Sequence, residues 1–380
     1  MINFALTARD REILEEARRQ ARLARKYARD FESDEDRLLP NQYPEAEGLP
    51  DVHAMLGAFS AETSGQKIIN ALLYLEDWYG GVPLREHRYS LGNTVLKIAG
   101  TAEQFARWHD KTIAIGLTEP VGGSDPASVR TTARFDKATG NWTINGEKIF
   151  ITYAQGCDAV LVLARLQHPD QPQRLSTFIV EKGTPGFSVG PQIRKMGIRW
   201  EDTAALSFSD CQVPAFNHID GDLRKTLQSF SESRPVVAAY ALGVSRAALD
   251  YTWEQILPLG VAPDYNAPLA TQPSAAARLL ALEAEWEATW LTVVRAKWIE
   301  QREGPGKIES SMAKTMGGLL ARRVTQACIE ILGAKGLSAS APAEKLFRDA
   351  RIFDIYEGTG EIQRLIIARH LLGYSPRELN

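Results

Sequence analysis

Residues 351–364 read Arg351-Ile-Phe-Asp-Ile-Tyr-Glu-Gly-Thr-Gly-Glu-Ile-Gln-Arg364. Apolar residues at Ile362, Leu365, Ile366 and Leu372 recur at helical spacing, which predicts a helix starting near Thr359 and running to about His370. Thr359 is a suitable N-cap, and Gly358 permits a tight turn just before it. Glu357 is thereby placed at a helix entrance, behind the apolar run Ile352, Phe353, Ile355, Tyr356. A carboxylate held against apolar walls has its charged form destabilised and becomes a better base. Attraction to the positive end of the helix would account for the same residue without any chemistry.

At 380 residues the chain can bury a large core in two or three subdomains. A formal charge of −3 argues against nucleic-acid binding, and no apolar run is long enough for a transmembrane helix. The start shows no basic segment followed by an apolar one, so no signal peptide is expected. Cys157, Cys211 and Cys328 are far apart and the six histidines scattered, which predicts no metal site and a reducing, cytoplasmic setting.

Helical periodicity covers roughly 8–31, 64–79 and 92–108, then gives way near 113 to β-branched and aromatic runs. Strands are predicted at 131–135, 142–144, 148–152, 159–164, 176–180 and 204–208. Asn145-Gly146 is read as a hairpin turn, and Gly183-Thr-Pro-Gly186 as another turn. After Pro214 the spacing is helical again, near 222–257, 270–301, 308–333 and 359–372. The expected organisation is α+β: an N-terminal helical domain (1–112), a middle β-barrel or sheet domain (113–218) and a C-terminal four-helix bundle (219–380).

A second segment, Gly116-Leu-Thr-Glu-Pro-Val-Gly-Gly-Ser-Asp125, has glycines that let backbone N–H groups approach a ligand, with hydroxyls at Thr118 and Ser124. This segment resembles the flavin-binding signature of acyl-CoA dehydrogenases, and 351–364 resembles that family's C-terminal signature. The order and separation of the two also match. The resemblance implies FAD, an acyl-CoA substrate and electron transfer to an electron-transfer flavoprotein. It makes Glu357 the base that takes the α-proton while the β-hydrogen leaves as hydride to flavin N5. Leu117, Thr118, Gly123, Ser124, Phe150, Thr152, Gln272 and Thr359 would contact the flavin, Phe150 standing where the family usually has Trp. Arg234, Phe230, Tyr356 and Gly358 would contact the substrate.

The chain also departs from the family. No Arg-x-x-Phe-Gly segment follows the first long bundle helix, where Trp253 to Pro268 is Pro-rich, and Glu330 and Glu361 stand where Gln is typical. Lost attraction at a pyrophosphate raises the expectation of a heterotetramer with a homologous subunit, beside that of a homo-oligomer (dimer or tetramer). Arg85-Glu-His-Arg88 is either a solvated loop or the end of a pocket for a polar acyl chain. Rival readings are an acyl-CoA oxidase using O2, a non-catalytic subunit that completes a mixed complex, and a carrier-protein thioester in place of CoA.

Overall fold

The computed structural model describes residues 6–32, 45–50, 52, 66–81, 91–169, 174–220, 223–375 and 378. The chain divides into two compact units, a helical one (1–86, 196–200 and 234–380) and one built on a sheet (87–195 and 201–233). The fold is α+β, with helices first, a sheet in the middle and helices last.

In the helical unit, α1 (Ala8–Arg25) opens with a capping box between Thr7 and Asp10. Its stripe Ile13, Ala17, Ala21 and Ala24 is buried, in clusters shared with α2 (Gln66–Tyr79). The helix was expected to reach 31 but ends at Arg25. The amides of Lys26, Tyr27 and Ala28 bond three residues back instead of four, and a 3-10 turn at Asp30–Glu32 then buries Phe31. The long helices follow within a few residues of their predicted spans: α5 (Leu223–Ile256), α6 (Ser274–Glu303), α7 (Lys307–Leu332) and α9 (Gly360–Leu372).

Close packing here depends on small residues. A side chain at Gly243 of α5 would collide with the Leu75 carbonyl of α2, and one at Gly317 of α7 would sit 3.0 Å from the Ala238 Cβ. Periodicity missed one helix, α8 (Pro342–Asp349). It has eight residues, and its charged Lys345 and Asp349 read as surface although both are buried. They form a buried ion pair whose Asp349 also accepts from Ile198 N at 2.6 Å.

In the sheet unit the helix expected at 92–108 is two, α3 (Leu91–Ala99) and α4 (Ala102–Trp108). Gly100 interrupts, and a Thr101–Gln104 capping box starts the second. The strands are β1 (Ile113–Gly116), β2 (Thr132–Asp136), β3 (Asn141–Thr152), β4 (Ala159–Gln167), β5 (Leu175–Glu181), β6 (Phe187–Gln192), β7 (Thr203–Val213) and β8 (His218–Ile219). They form one sheet in the order β6-β7-β3-β2-β4-β5-β8, with β1 parallel to β4.

The Asn145-Gly146 hairpin is corrected. β3 runs straight through these residues, and its register against β7 slips between Ile144 and Gly146, a bulge. Gly146 has φ +146°, and an added Cβ would lie 2.5 Å from Thr131 Oγ1. The glycine therefore serves a close approach, not a turn. The true hairpin joins β2 to β3, where Gly140 (φ +70°) follows Asp136, which caps Ala138 N. The turn at Gly183–Gly186 is as expected, both glycines having positive φ.

No helix among the described residues is long and apolar enough to cross a membrane. No group of three or more His, Cys, Asp or Glu among them could hold a metal.

Candidate functional site

The segment after β1 is shaped from beneath by a buried charge pair. Glu119 and Gly122 close a short antiparallel bridge around Pro120 and Val121. The Glu119 carboxylate is buried and accepts from Arg130 N (2.7 Å), Thr131 N (2.9 Å), Thr131 Oγ1 (2.6 Å) and Lys148 Nζ (2.8 Å). Burial alone would raise its pKa; the Lys148 ammonium and the other donors prevail and hold it down to about 2. Lys148 is wholly buried, donates also to Leu117 O at 3.3 Å, and is pulled down to about 8 by desolvation. Ile149 N donates to Thr118 O at 2.9 Å. The segment is thus stapled to β3 along Leu117–Glu119.

Its other side is open. Val121, Gly122, Gly123 and Ser124 are all exposed, while Leu117, Thr118 and Thr152 are half-buried. An added Cβ at Gly123 would lie 3.1 Å from Thr118 Cγ2. Phe150, one turn of the strand from Lys148, is 61 % exposed and adopts φ +57°. Sequence reasoning missed Glu119 and Lys148. A lysine reads as a surface residue by type, and the register of β3 against β7 slips again between Lys148 and Ile151, so that Lys148 is buried while Phe150 is exposed.

In the helical unit, a 3-10 turn at Ala350–Asp354 leads through Ile355 and Tyr356 into Glu357, which has φ +56°, and Gly358, with φ +90°. A non-glycine residue in that region costs roughly 1–3 kcal/mol and persists only where its surroundings impose it. Here Arg234 Nε donates to Glu357 O at 3.4 Å, and Gln363 Nε2 donates to Glu357 O at 3.3 Å and Gly358 O at 3.1 Å. A Cβ on Gly358 would fall 2.5 Å from that Gln363 nitrogen. Thr359 caps α9, accepting from Ile362 N at 3.4 Å.

The apolar walls expected around Glu357 are only partly present. Phe353 is fully buried and Tyr356 half-buried, but Ile355 is 56 % exposed. The charges nearby are two buried cations, Arg234 and Lys314, each interacting electrostatically with Glu357. Desolvation lowers both cations' pKa and Glu357 opposes that shift, Lys314 coming to about 8. Lys314 gave no signal in the sequence, where it sits in an ordinary helical pattern.

Arg234 lies well inside α5, which begins at Leu223, and is not a terminal surface charge. Phe230 is half-buried one turn earlier. Gln272 is occupied by its own loop, donating to Ala267 O at 3.3 Å and accepting from Asp264 N at 3.1 Å. Glu330 is ion-paired with Arg278, and Glu361 with Arg364 at 3.5 Å, so neither carboxylate is uncompensated. Arg85, His87 and Arg88 lie outside the described residues. Of the five non-glycine residues with positive φ among the described residues, Glu357 falls in 351–364 and Phe150 is the ring expected to lie against the flavin.

Residues 114–211 match the family model "Acyl-CoA dehydrogenase, middle domain", and 223–372 match "Acyl-CoA dehydrogenase, C-terminal domain". An acyl-CoA dehydrogenase of Bacillus subtilis (strain 168) is 36% identical over 307 residues, 77% of this chain and 78% of that one. This chain belongs to the acyl-CoA dehydrogenase family. The mitochondrial short-chain specific acyl-CoA dehydrogenase of Mus musculus is 34% identical over 287 residues, 73% of this chain and 68% of that one. The solved butyryl-CoA dehydrogenase from Megasphaera elsdenii superposes with a TM-score of 0.79 at 28% identity, covering 98% of this chain and 100% of that one.

The protein is accordingly an oxidoreductase, and FAD is its cofactor. The residues present suit an acyl-CoA dehydrogenase's flavin. An exposed aromatic ring at Phe150 and a glycine turn at Gly122–Gly123 with open space beside Gly122 offer flat apolar surface and accessible backbone.

Proposed function

We propose that this acyl-CoA dehydrogenase catalyses α,β-dehydrogenation of a short acyl-CoA thioester, with Glu357 as the base. The observation that carries this reading is the Glu357 turn, a positive-φ residue whose backbone carbonyl is held by Arg234 and Gln363 and whose carboxylate interacts with two buried cations, Arg234 and Lys314. Arg234 and Lys314 favour the ionised form of Glu357, so the carboxylate stands ready to accept the α-proton. We assign the thioester carbonyl to the Glu357 backbone N–H, whose pull would acidify the α-carbon. FAD, when bound, supplies the two-electron acceptor for the β-hydrogen. Leu117, Thr118, Gly123, Ser124, Phe150 and Thr152 would hold the flavin. The Glu119–Lys148 pair would fix the loop that carries the first four. A short acyl chain is proposed because the butyryl-CoA and short-chain specific enzymes are among the relatives.

We assign an electron-transfer flavoprotein as the electron acceptor and an oligomer in the cytoplasm as the working form. The test is turnover of a panel of straight-chain acyl-CoA esters by the purified FAD-loaded protein, with a dye and then with electron-transfer flavoprotein as acceptor. Glu357→Gln should lose at least about 100-fold in kcat while keeping its flavin. Undiminished turnover by Glu357→Gln refutes the assignment of the base, and stoichiometric peroxide in air would redirect the acceptor to O2.

A further inference from the structure

We propose that Gln363 is a positioning residue for the base: it clamps the two peptide groups that follow Glu357, and so fixes the angle at which the Glu357 carboxylate stands to its own backbone N–H. The proposal rests on the reading of Glu357 as base. Thr359 caps α9, and Gln363 lies one turn in, its N–H donating to Thr359 O at 2.9 Å. Side chains on a helix lean toward its N-terminus, so the Gln363 amide reaches back over the entrance of its own helix. There Nε2 donates to Gly358 O at 3.1 Å and to Glu357 O at 3.3 Å. The opposite orientation would set Oε1 against two carbonyl oxygens, so the nitrogen is the atom that faces them. Gly358 makes the approach possible, since an added Cβ there would lie 2.5 Å from Nε2. Gln363 is wholly buried, a place ordinarily taken by an apolar side chain. An amide is dehydrated there at a cost that its hydrogen bonds to the turn offset.

Residue 357 carries both groups assigned to the reaction, the N–H for the thioester carbonyl and the carboxylate for the α-proton. They stand at opposite ends of the N–Cα bond, so φ sets the angle between them. At +56° that torsion lies roughly 120° from its helical value, in a region that persists only where the surroundings impose it. The backbone is held on both sides of this bond. Upstream, Ile355 N and Tyr356 N both donate to Ile352 O, at 2.8 and 3.2 Å, which closes the 3-10 turn. Downstream, Arg234 Nε reaches Glu357 O at 3.4 Å, and Gln363 is the side chain that spans both carbonyls. Between two anchored segments, Glu357 has no room to relax to negative φ. Without the clamp the turn loosens, and the carboxylate shifts relative to the N–H that would hold the substrate. A shift of about 1 Å in a reacting group costs on the order of 100-fold in rate, while contacts to the rest of the substrate stay as they were.

The experiment compares wild type, Gln363→Met and Gln363→Asn, all FAD-loaded, on the best acyl-CoA of the panel. Met keeps the length without the donors, and Asn keeps the amide but is one methylene too short to span the carbonyls. Each should lose about 10- to 100-fold in kcat and in the single-turnover rate of flavin bleaching, with KM and FAD content within about twofold of wild type. A residue that merely supported the fold would move FAD content and melting temperature instead. The same replacements made in Glu357→Gln should slow its residual rate by less than about twofold, because the clamp acts through the side chain already removed. A kcat within about twofold of wild type in folded, flavin-loaded Gln363→Met overturns the proposal. So does a loss confined to KM, or one that persists undiminished beside Glu357→Gln. Should Gln363→Met fail to retain FAD, Gln363→Asn gives the reading; loss of FAD from both assigns Gln363 to the fold and overturns the proposal as well. Fully active Gln363 variants beside an inactive Glu357→Gln sink only this inference. A Glu357→Gln variant that turns over at the wild-type rate sinks the reading beneath it.

Discussion

Replacing Lys148 by Met probes the buried pair under the Leu117–Asp125 segment. The substitution removes an ammonium that is wholly buried and bonded to Glu119 at 2.8 Å and to Leu117 O at 3.3 Å. Breaking a buried ion pair by removing one partner costs about 3–5 kcal/mol, because the other charge stays buried. Glu119 keeps three of its four donors, Arg130 N, Thr131 N and Thr131 Oγ1, so the lower end, about 3 kcal/mol, is expected. At about 2–4 °C per kcal/mol for a unit of this size, melting should fall by roughly 6–12 °C. The assay is thermal unfolding of the FAD-free protein, run for Lys148→Met, Glu119→Gln and the double variant. Because the neutral pair no longer strands a charge, the double variant should be less destabilised than the sum of the singles by about 1–3 kcal/mol. Flavin retention should fall in the singles as the stapled loop loosens. A melting shift under about 2 °C, or strictly additive singles, would refute the account of the loop as held by this pair.

Further outcomes follow from other residues. Gly146→Ala forces a side chain to φ +146° and within 2.7 Å of Thr131 Cα, so it should destabilise by about 2–3 kcal/mol in denaturant titration. His218 stacks on Phe178 with ring centroids 4.7 Å apart, contacts Ser176 Oγ at 2.8 Å, and is pushed by burial down to about 4. Its folded pKa lies below the unfolded one near 6.5, so the stability tied to neutral His218 is complete above that value and is lost as pH falls toward 4. His218→Phe should flatten the drop in melting temperature between pH 7 and pH 4.5. Glu119 acts lower: with its pKa held at about 2, its contribution is full above the ordinary carboxylate range and disappears as pH falls from about 4.5 toward 2. Comparing the acid melting of Glu119→Gln with wild type checks this. Arg234→Lys should keep the charge but lose the Arg234 Nε bond to Glu357 O, lowering kcat several-fold without abolishing it.

Much was legible in the chain itself. The long helices and most strands announce themselves because burial on one face imprints period 3.6 or 2 on the side chains. Glu357 before a capped helix, and the glycines at 122 and 123, could be picked out because their chemistry is local: a cap, a turn and an exposed backbone. Short-range grammar failed where a distant neighbour determined the outcome. Asn145-Gly146 is a fair hairpin pair in isolation, but Thr131 fills the space that would have made it one of two meanings, and the strand continues. Gly100 with the Thr101–Gln104 box splits a helix that its apolar spacing ran together.

The charged interior was not legible at all. Lys148, Lys314 and Lys345 look like surface residues by type, since a lone lysine is rarely buried. Each is buried because a carboxylate or carbonyl from a remote part of its own unit arrives beside it: the Glu119 carboxylate, the Phe353 carbonyl and the Gly81 carbonyl. The sequence by itself therefore determined the succession of helices and strands, the family motifs and the candidate for the base, all properties of residues near in the chain. Only the tertiary structure decided which cations face that base and what holds the loop in shape. Those depend on the low-dielectric interior, where a charge is tolerated only beside a partner that folding brings to it.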